Sequence, residues 1–186
     1  VRKGARGMLS LNIQNDVICF EDIKPEQLPT VLEWYNKTDE YKYATGVEQP
    51  LTLELLTQKY METVNCSEEF FVGIYVKMAG IMAGMLKGKL ENKNTDVLWI
   101  SMLMIRPDCR NRGYGSMSIT LLMDYFKKKY DLLNIYLTVA EENSKGKMFW
   151  IKQGFGEIKR VNNYKSWEGR YFDVAVMHKN LVSCIK

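Results

Sequence analysis

The sequence predicts an α/β fold, a mixed, mostly antiparallel sheet of about seven strands flanked by about four helices. Three observations predict it. Segments with helical periodicity alternate with short β-rich segments along the whole chain. One β-rich segment, Val97 to Ile105, is almost wholly apolar, as a strand covered on both faces must be. A turn carrying Gly113 and Gly115 then joins that strand to a long amphipathic pattern, Gly113 to Tyr130.

Taken in order, Val17 to Phe20 reads as a short strand, and Pro25 opens a helix with Leu28, Val31, Leu32 and Tyr35 at i, i+3, i+4, i+7 spacing. Asn36 to Pro50 is polar, carries Gly46 and reads as a loop. Thr52 begins a second helix with Leu53, Leu56, Tyr60 and Val64 on one face. Phe70 to Val76 and Ile81 to Lys89 read as a hairpin about Met78-Ala79-Gly80. A polar loop, Glu91 to Asp96, leads into the apolar strand, which Pro107-Asp108 stops. The long helix turns Met117, Leu121, Leu122, Tyr125 and Phe126 inward, and Lys127-Lys128-Lys129 suits the negative end of its dipole. Asn134 to Ala140 is a strand and Asn143 to Gln153 a helix. Gly156 to Asn163 and Arg170 to Asn180 close the sheet.

The bulk properties narrow the function. At 186 residues the chain suits a single domain, expected over 8–186, with residues 1–7 a tag remnant or loose basic arm. No apolar run reaches membrane-spanning length and the N-terminus lacks the apolar core of a signal peptide, so the expected compartment is the cytoplasm. Cys19, Cys66, Cys109 and Cys184 form no CxxC pair and His178 is the only histidine, so no metal site is expected. A net charge of +4 is too mild to predict a nucleic-acid partner.

The chemistry concentrates in Ile105-Arg106-Pro107-Asp108-Cys109-Arg110-Asn111-Arg112-Gly113-Tyr114-Gly115-Ser116. Glycines there let backbone N–H groups turn toward one point, a helix N-terminus adds partial positive charge, and Arg110 and Arg112 add full charges. This is a pyrophosphate cradle. A dinucleotide fingerprint would need glycine where Ser118 stands, and no Gly-Lys-Ser/Thr ending supplies a Walker loop. Cys109 reads as a small buried filler.

Arg110-x-x-Gly113-x-Gly115, after a strand ending Ile105-x-Pro107, resembles the acetyl-CoA signature of the GNAT superfamily of N-acetyltransferases. Asn143, Gly146, Trp150 and Gly154-Phe155 resemble its second signature. The ending Gly169-Arg170-Tyr171-Phe172-Asp173 through Met177 is similar to the branch of ribosomal-protein N-terminal, polyamine and antibiotic acetyltransferases. The resemblance implies a sheet splayed between the fourth and fifth strands, with acetyl-CoA as co-substrate. Backbone groups of Leu103 and Ile105 would pair with its pantetheine arm, and a strand irregularity would leave the Leu103 N–H to donate to the thioester oxygen. Arg110, Asn111, Arg112, Gly113, Tyr114, Gly115 and Ser116 would hold the pyrophosphate, and Asn143 and Trp150 would flank the arm. The acceptor would approach across Asn36–Pro50 and Asn162–Gly169.

The sequence departs from the family at two places. Trp150 stands where a tyrosine usually protonates the leaving thiolate, and an indole cannot act as a general acid near neutrality. Trp99 stands where some members carry a glutamate base. Tyr136 and Tyr171 remain as acid candidates; a water relay, Glu68, Glu69, Glu141 or Glu142 remain for the base. The implied activity is direct acetyl transfer to a primary amine, foremost of a small molecule, by a monomer or homodimer. The alternatives are a protein N-terminal amine as acceptor, and a catalytically silent CoA-binding sensor.

Overall fold

The computed structural model describes residues 7–45, 49–91, 96–165 and 171–181, without the side chains at 38–40, 42 and 165. The expected arm apart from Gly7, Cys184, and most of the loops at 91–96 and 162–169 with Arg170 lie outside the described residues or at their edges. The elements run β1 (Ile18–Asp22), α1 (Leu28–Tyr35), α2 (Thr38–Thr45), α3 (Leu53–Val64), β2 (Glu69–Val76), β3 (Ile81–Leu90), β4 (Val97–Ile105), α4 (Tyr114–Tyr130), β5 (Asn134–Ala140), α5 (Ser144–Lys152), β6 (Gly156–Lys165) and β7 (Tyr171–Asn180). Short 3-10 turns at Pro25–Gln27 and Pro107–Cys109 precede α1 and α4. The strands form one seven-stranded sheet in the order β1-β2-β3-β4-β5-β7-β6, in which β4 and β5 alone pair in parallel.

Each face of the sheet is covered by different helices. Ile119, Leu122 and Phe126 of α4 and Trp150 of α5 pack on Leu98, Ile100, Ile135, Leu137, Val139, Ala175 and Met177. On the other face Leu28, Val31, Trp34, Tyr41, Leu56 and Tyr60 pack on Phe71, Met85, Met102 and Met104. Burying each such side chain contributes about 1.5–3 kcal/mol.

A bulge explains how β4 serves both cores. Side chains alternate along a strand, so residues 98, 100, 102 and 104 would all face one way in a regular one. The β3–β4 register steps from Lys87↔Met102 to Gly88↔Ile100, leaving Ser101 as the extra residue. Leu98 and Ile100 therefore face α4, while Met102 and Met104 face α1–α3. Gly88 permits the close approach at this point, since a Cβ there would lie 2.6 Å from the Trp99 carbonyl oxygen.

The structure corrects the sequence reading in two places. The stretch Asn36–Pro50, expected as a loop, contains α2, which raises the α-helices from about four to five. Tyr41 anchors this helix: it is 3 % exposed and stacks on Trp34 with centroids 6.1 Å apart. In α3, Leu53 is exposed, and the inward face is Leu56, Tyr60 and Thr63; the Thr52 hydroxyl caps the helix by accepting from the Leu55 N–H at 3.2 Å.

Candidate active site

β4 and β5 start as paired neighbours and then part. Their pairing runs from Val97↔Asn134 to Ile100↔Leu137 and stops there, one residue before the Ser101 bulge. Beyond that rung the sheet opens as a V. The ladder to β3 shows where the inner edge of β4 points. The Arg106 N–H donates to the Ala83 carbonyl at 2.8 Å, so Ala83 and Arg106 form a hydrogen-bonded pair. By alternation, Gly84/Ile105 and Leu86/Leu103 are non-bonded pairs, so the N–H and C=O groups of Leu103 and Ile105 face away from β3 and into the V. The irregularity expected near Leu103 thus lies at Ser101, two residues earlier. The Ile105 carbonyl at the mouth accepts from Arg110 Nε at 3.1 Å.

The mouth of the V meets the N-terminus of α4. Gly113 caps the helix at φ 83°, a left-handed conformation that a side chain would strain, and Asn111 is also left-handed at φ 59°. The first intrahelical bond is from the Met117 N–H to the Gly113 carbonyl at 2.9 Å. The N–H groups of Tyr114, Gly115 and Ser116 are therefore the orphan donors of the first turn. Arg110, Asn111, Arg112 and Gly113 are exposed around them. A Cβ on Gly115 would lie 3.3 Å from the Phe149 ring and 3.6 Å from Ile105 Cγ1, so α4, α5 and the end of β4 converge here. Gln153 Nε2 donates to Ser116 Oγ at 2.9 Å and ties α5 to the same turn.

The 3-10 turn leading in is braced by charge. Arg106 and Asp108 pair through two hydrogen bonds of 2.5–2.7 Å. The guanidinium holds the Asp108 carboxyl down to about 2 and is itself raised by that hydrogen bond. Cys109 is 2 % exposed and packs near Val76 and Ala83, as a filler does.

The other expected residues fall as follows. Asn143 opens α5, its side chain accepting from the Gly146 N–H at 2.9 Å. Trp150 is 8 % exposed, edge-to-face with Phe149 at 5.0 Å and Phe155 at 5.2 Å. Of the acid candidates, Tyr136 stands at the apex of the V beside Trp99, whereas Tyr171 is 64 % exposed, three residues beyond the last β5–β7 rung at Val174.

The glutamates are engaged in local pairs. Glu69 lies 3.4 Å from Lys87 and 3.6 Å from Lys89. Glu141 pairs with Lys147 and Arg160, which both also reach Glu157. Hydrogen bonds to the two carboxylates raise the Lys147 ammonium, and Lys147 lowers Glu157. The Cys66 thiol donates to Glu68 at 3.4 Å, and hydrogen bonds from Ser67 and Cys66 lower that carboxyl.

Sequence reasoning missed the role of α2. Its Tyr41 ring lies 5.4 Å from the Arg110 guanidinium on the β4 side of the V. Its Tyr43 hydroxyl donates to Glu142 at 3.4 Å, just past β5. The helix bridges both arms of the V. Two tyrosines in a polar stretch were the only sequence signal for it.

The fold is thus a sheet parted at a parallel pair, with helix donors at its open end. The chain belongs to the acetyltransferase (GNAT) domain family, which matches residues 21–176. Solved structures agree on the fold. The spermidine N-acetyltransferase from Vibrio cholerae in complex with CoA and spermine superposes with a TM-score of 0.74 at 21% identity, over 89% of this chain and 96% of that one. A GNAT-family acetyltransferase from Bacillus anthracis gives 0.74 at 16% identity, over 90% and 97%. A dodecameric Vibrio cholerae spermidine N-acetyltransferase gives 0.67 at 20% identity, over 89% and 95%. Among the described residues no helix is long and apolar enough to cross a membrane.

Proposed function

We propose that this chain is an acetyl-CoA-dependent N-acetyltransferase that moves acetyl directly to a primary amine of a small molecule in the cytoplasm. The observation that carries the reading is the V itself, edged by Leu103 and Ile105 backbone groups and ending at the orphan N–H groups of α4. The fit to coenzyme A is chemical. A pyrophosphate suits three helix N–H groups with Arg110 and Arg112 beside them, and an amide-bearing arm suits a strand edge with no partner strand. Tyr114, Gly115 and Ser116, with Arg110, Asn111, Arg112 and Gly113, would hold the pyrophosphate. Leu103 and Ile105 would pair with the arm, and Asn143 and Trp150 would bound it.

In the transfer the amine nitrogen bonds to the acyl carbon, the carbon–sulfur bond breaks, and the ammonium proton passes to water. The Leu103 N–H is assigned to the oxygen on which charge develops. Trp150, packed between Phe149 and Phe155, is assigned as a wall of the site, and a thiolate leaves without a strong acid because an ordinary thiol has a pKa of about 8.5. A small-molecule acceptor is favoured because the similar Vibrio cholerae enzyme is a spermidine N-acetyltransferase. We propose a monomer or homodimer, with no resident metal and no nucleic-acid partner.

The test follows free thiol with acetyl-CoA and a panel of polyamines, aminoglycosides, amino acids and short peptides. Release with small amines supports the reading, and release only with peptides moves it to protein N-termini. Saturable CoA binding without transfer to any amine leaves the silent sensor, which Trp150 in place of an acidic hydroxyl favours. No heat with millimolar CoA overturns the cofactor.

A further inference from the structure

One row of side chains crosses the sheet on the α1–α3 face, rung by rung: Glu69↔Lys89, Lys89↔Trp99, Trp99↔Tyr136 and Tyr136↔His178. Its centre, Trp99 and Tyr136, lies one rung before the V opens. α4 and α5 occupy the opposite face, so on the acetyltransferase reading this face, between the row at the apex and α2 across the arms, is left for an acceptor.

Three rings of the row are stacked. The Trp99–Tyr136 centroids are 5.2 Å apart with planes at 25°, and those of Tyr136 and His178 are 4.6 Å apart at 27°. These separations are close to the strand spacing of about 4.8 Å, so the rings stand on the sheet with faces toward one another and edges outward. Ring edges are the positive part of the aromatic quadrupole. A ring standing off the sheet also carries its para hydroxyl at the outer end. Among the described residues the Tyr136 hydroxyl has no hydrogen-bond partner, and no buried side-chain oxygen or nitrogen lacks one, so that hydroxyl opens to solvent. Trp99, 36 % exposed, adds an indole N–H with no partner among those residues.

His178 is fixed beside them. The Asn134 carboxamide oxygen accepts from Asn180 Nδ2 at 3.1 Å and lies 2.9 Å from His178 Nε2. At the other end, Lys89 has its side chain half exposed, with Glu69 at 3.6 Å. The apex thus offers outward donors and a cation. The neighbouring carboxylates, Glu69 and Glu142, are engaged by Lys87, Lys89 and Tyr43.

We propose that Trp99 and Tyr136 form the acceptor subsite and select a small amine bearing a carboxylate or carbonyl oxygen, such as an amino acid or its amide, over a polyamine. This rests on the acetyltransferase reading. The Tyr136 hydroxyl and Trp99 N–H donate to that oxygen, with Lys89 favouring the charged form, and the amine is held over the V. A bare polycation would meet donors and Lys89, with no unengaged carboxylate among these groups.

The experiment compares an α-amino acid, its amide, the alkylamine of the same carbon number and spermidine with the parent, Tyr136→Phe and Trp99→Phe. Both variants keep an aromatic ring and remove the donor, Tyr136→Phe without change of ring size. With the parent, kcat/KM for the acid or the amide should exceed that of the alkylamine by about tenfold or more, a hydrogen-bond-sized preference. In each variant the ratio should fall toward one through KM, with CoA affinity unchanged. An acid-over-amide order assigns the preference to Lys89 as well as the donors. Spermidine or the alkylamine as the best substrate, or an unchanged ratio in both variants, overturns the proposal. If CoA binds and no amine turns over, calorimetry of the CoA complex with the amino acid decides. Binding weakened by Tyr136→Phe sustains the subsite while the enzyme reading fails, and no binding overturns the subsite.

Discussion

The two faces of the sheet are built from different side chains. The α4–α5 face is chiefly aliphatic and phenylalanine: Ile18, Phe20, Phe70, Leu98, Ile119, Leu122, Phe126, Ile135 and Leu137. The α1–α3 face holds Trp34, Tyr41, Tyr60, Met85, Met102 and Met104, with Tyr35 packed against it. Its polar tips are satisfied inside: the Tyr60 hydroxyl donates to the Ile23 carbonyl at 2.9 Å, and that of Tyr35 to Met102 Sδ at 3.3 Å. Rigid branched side chains suit a face that must hold one backbone geometry for a constant cofactor. Methionine and tyrosine give a more adaptable wall, which suits the face to which the proposal above assigns the acceptor.

The sharpest break to that contrast is at the cofactor end. Gly113→Glu should weaken CoA binding by about a hundredfold or more, because the left-handed cap rejects a side chain and a carboxylate would face the pyrophosphate. Calorimetry with CoA reads it, and the thermal midpoint shows that the fold persists. Binding equal to the parent would place the phosphate site elsewhere. Arg112→Ala should act in the same direction by about 1–3 kcal/mol, as expected for one charge-assisted hydrogen bond. Neither change should alter the order of preference among amines, since the proposed acceptor subsite lies on the other face.

The same contrast decides what was legible in the sequence. The turn into α4 showed itself because its signal is local: Gly113 and Gly115 stand within one turn, and the apolar run Val97–Ile105 announces a strand inside the sheet, although Trp99 and Ser101 are exposed on it. β2 and β3 followed from their β-rich sequence and from the turn at Gly80. α2 did not, because Tyr41 is held by Trp34 across a chain turn and by long-range packing, with no apolar period of its own. The bulge at Ser101 was equally hidden, since an extra residue in an almost wholly apolar run leaves no break in its pattern. The row from Glu69 to His178 joins residues from four strands beside β4, and only the register aligns them.

Alkaline pH should loosen the tyrosine-rich face before the aliphatic one. Burial pushes the Tyr35 phenol up to about 12, and burial also raises Tyr60. The folded state thus keeps protons that the unfolded chain loses near its ordinary value of about 10. This contribution is complete below about pH 10 and is lost as pH rises through about 12. Urea midpoints at pH 8, 10 and 11 should fall over the last step, and Tyr35→Phe should flatten the fall. The Phe variant should fold well, since a thioether is a weak acceptor that loses little when its donor goes. An equally steep fall in Tyr35→Phe would assign the alkaline sensitivity to other groups.

The smallest effect is expected at Trp150, where the two faces meet the question of the leaving group. Trp150→Tyr restores a phenol where related enzymes carry a tyrosine, so a chemistry limited by protonating the thiolate would gain rate. General acids add about 10²–10⁴-fold where they are needed. The packing argues the other way: Trp150 lies edge-to-face between Phe149 and Phe155, and Phe149 is the ring closest to Gly115 at the α4 turn. A smaller ring leaves a void under that contact and would loosen the wall to which the proposed function assigns the thioester. The expected result is a transfer rate that is flat or a few-fold lower (roughly 1 kcal/mol at most) across pH 6 to 9. A parent inactive on every amine but a variant that transfers acetyl would instead make the chain a CoA-binding sensor, silenced by the loss of one hydroxyl.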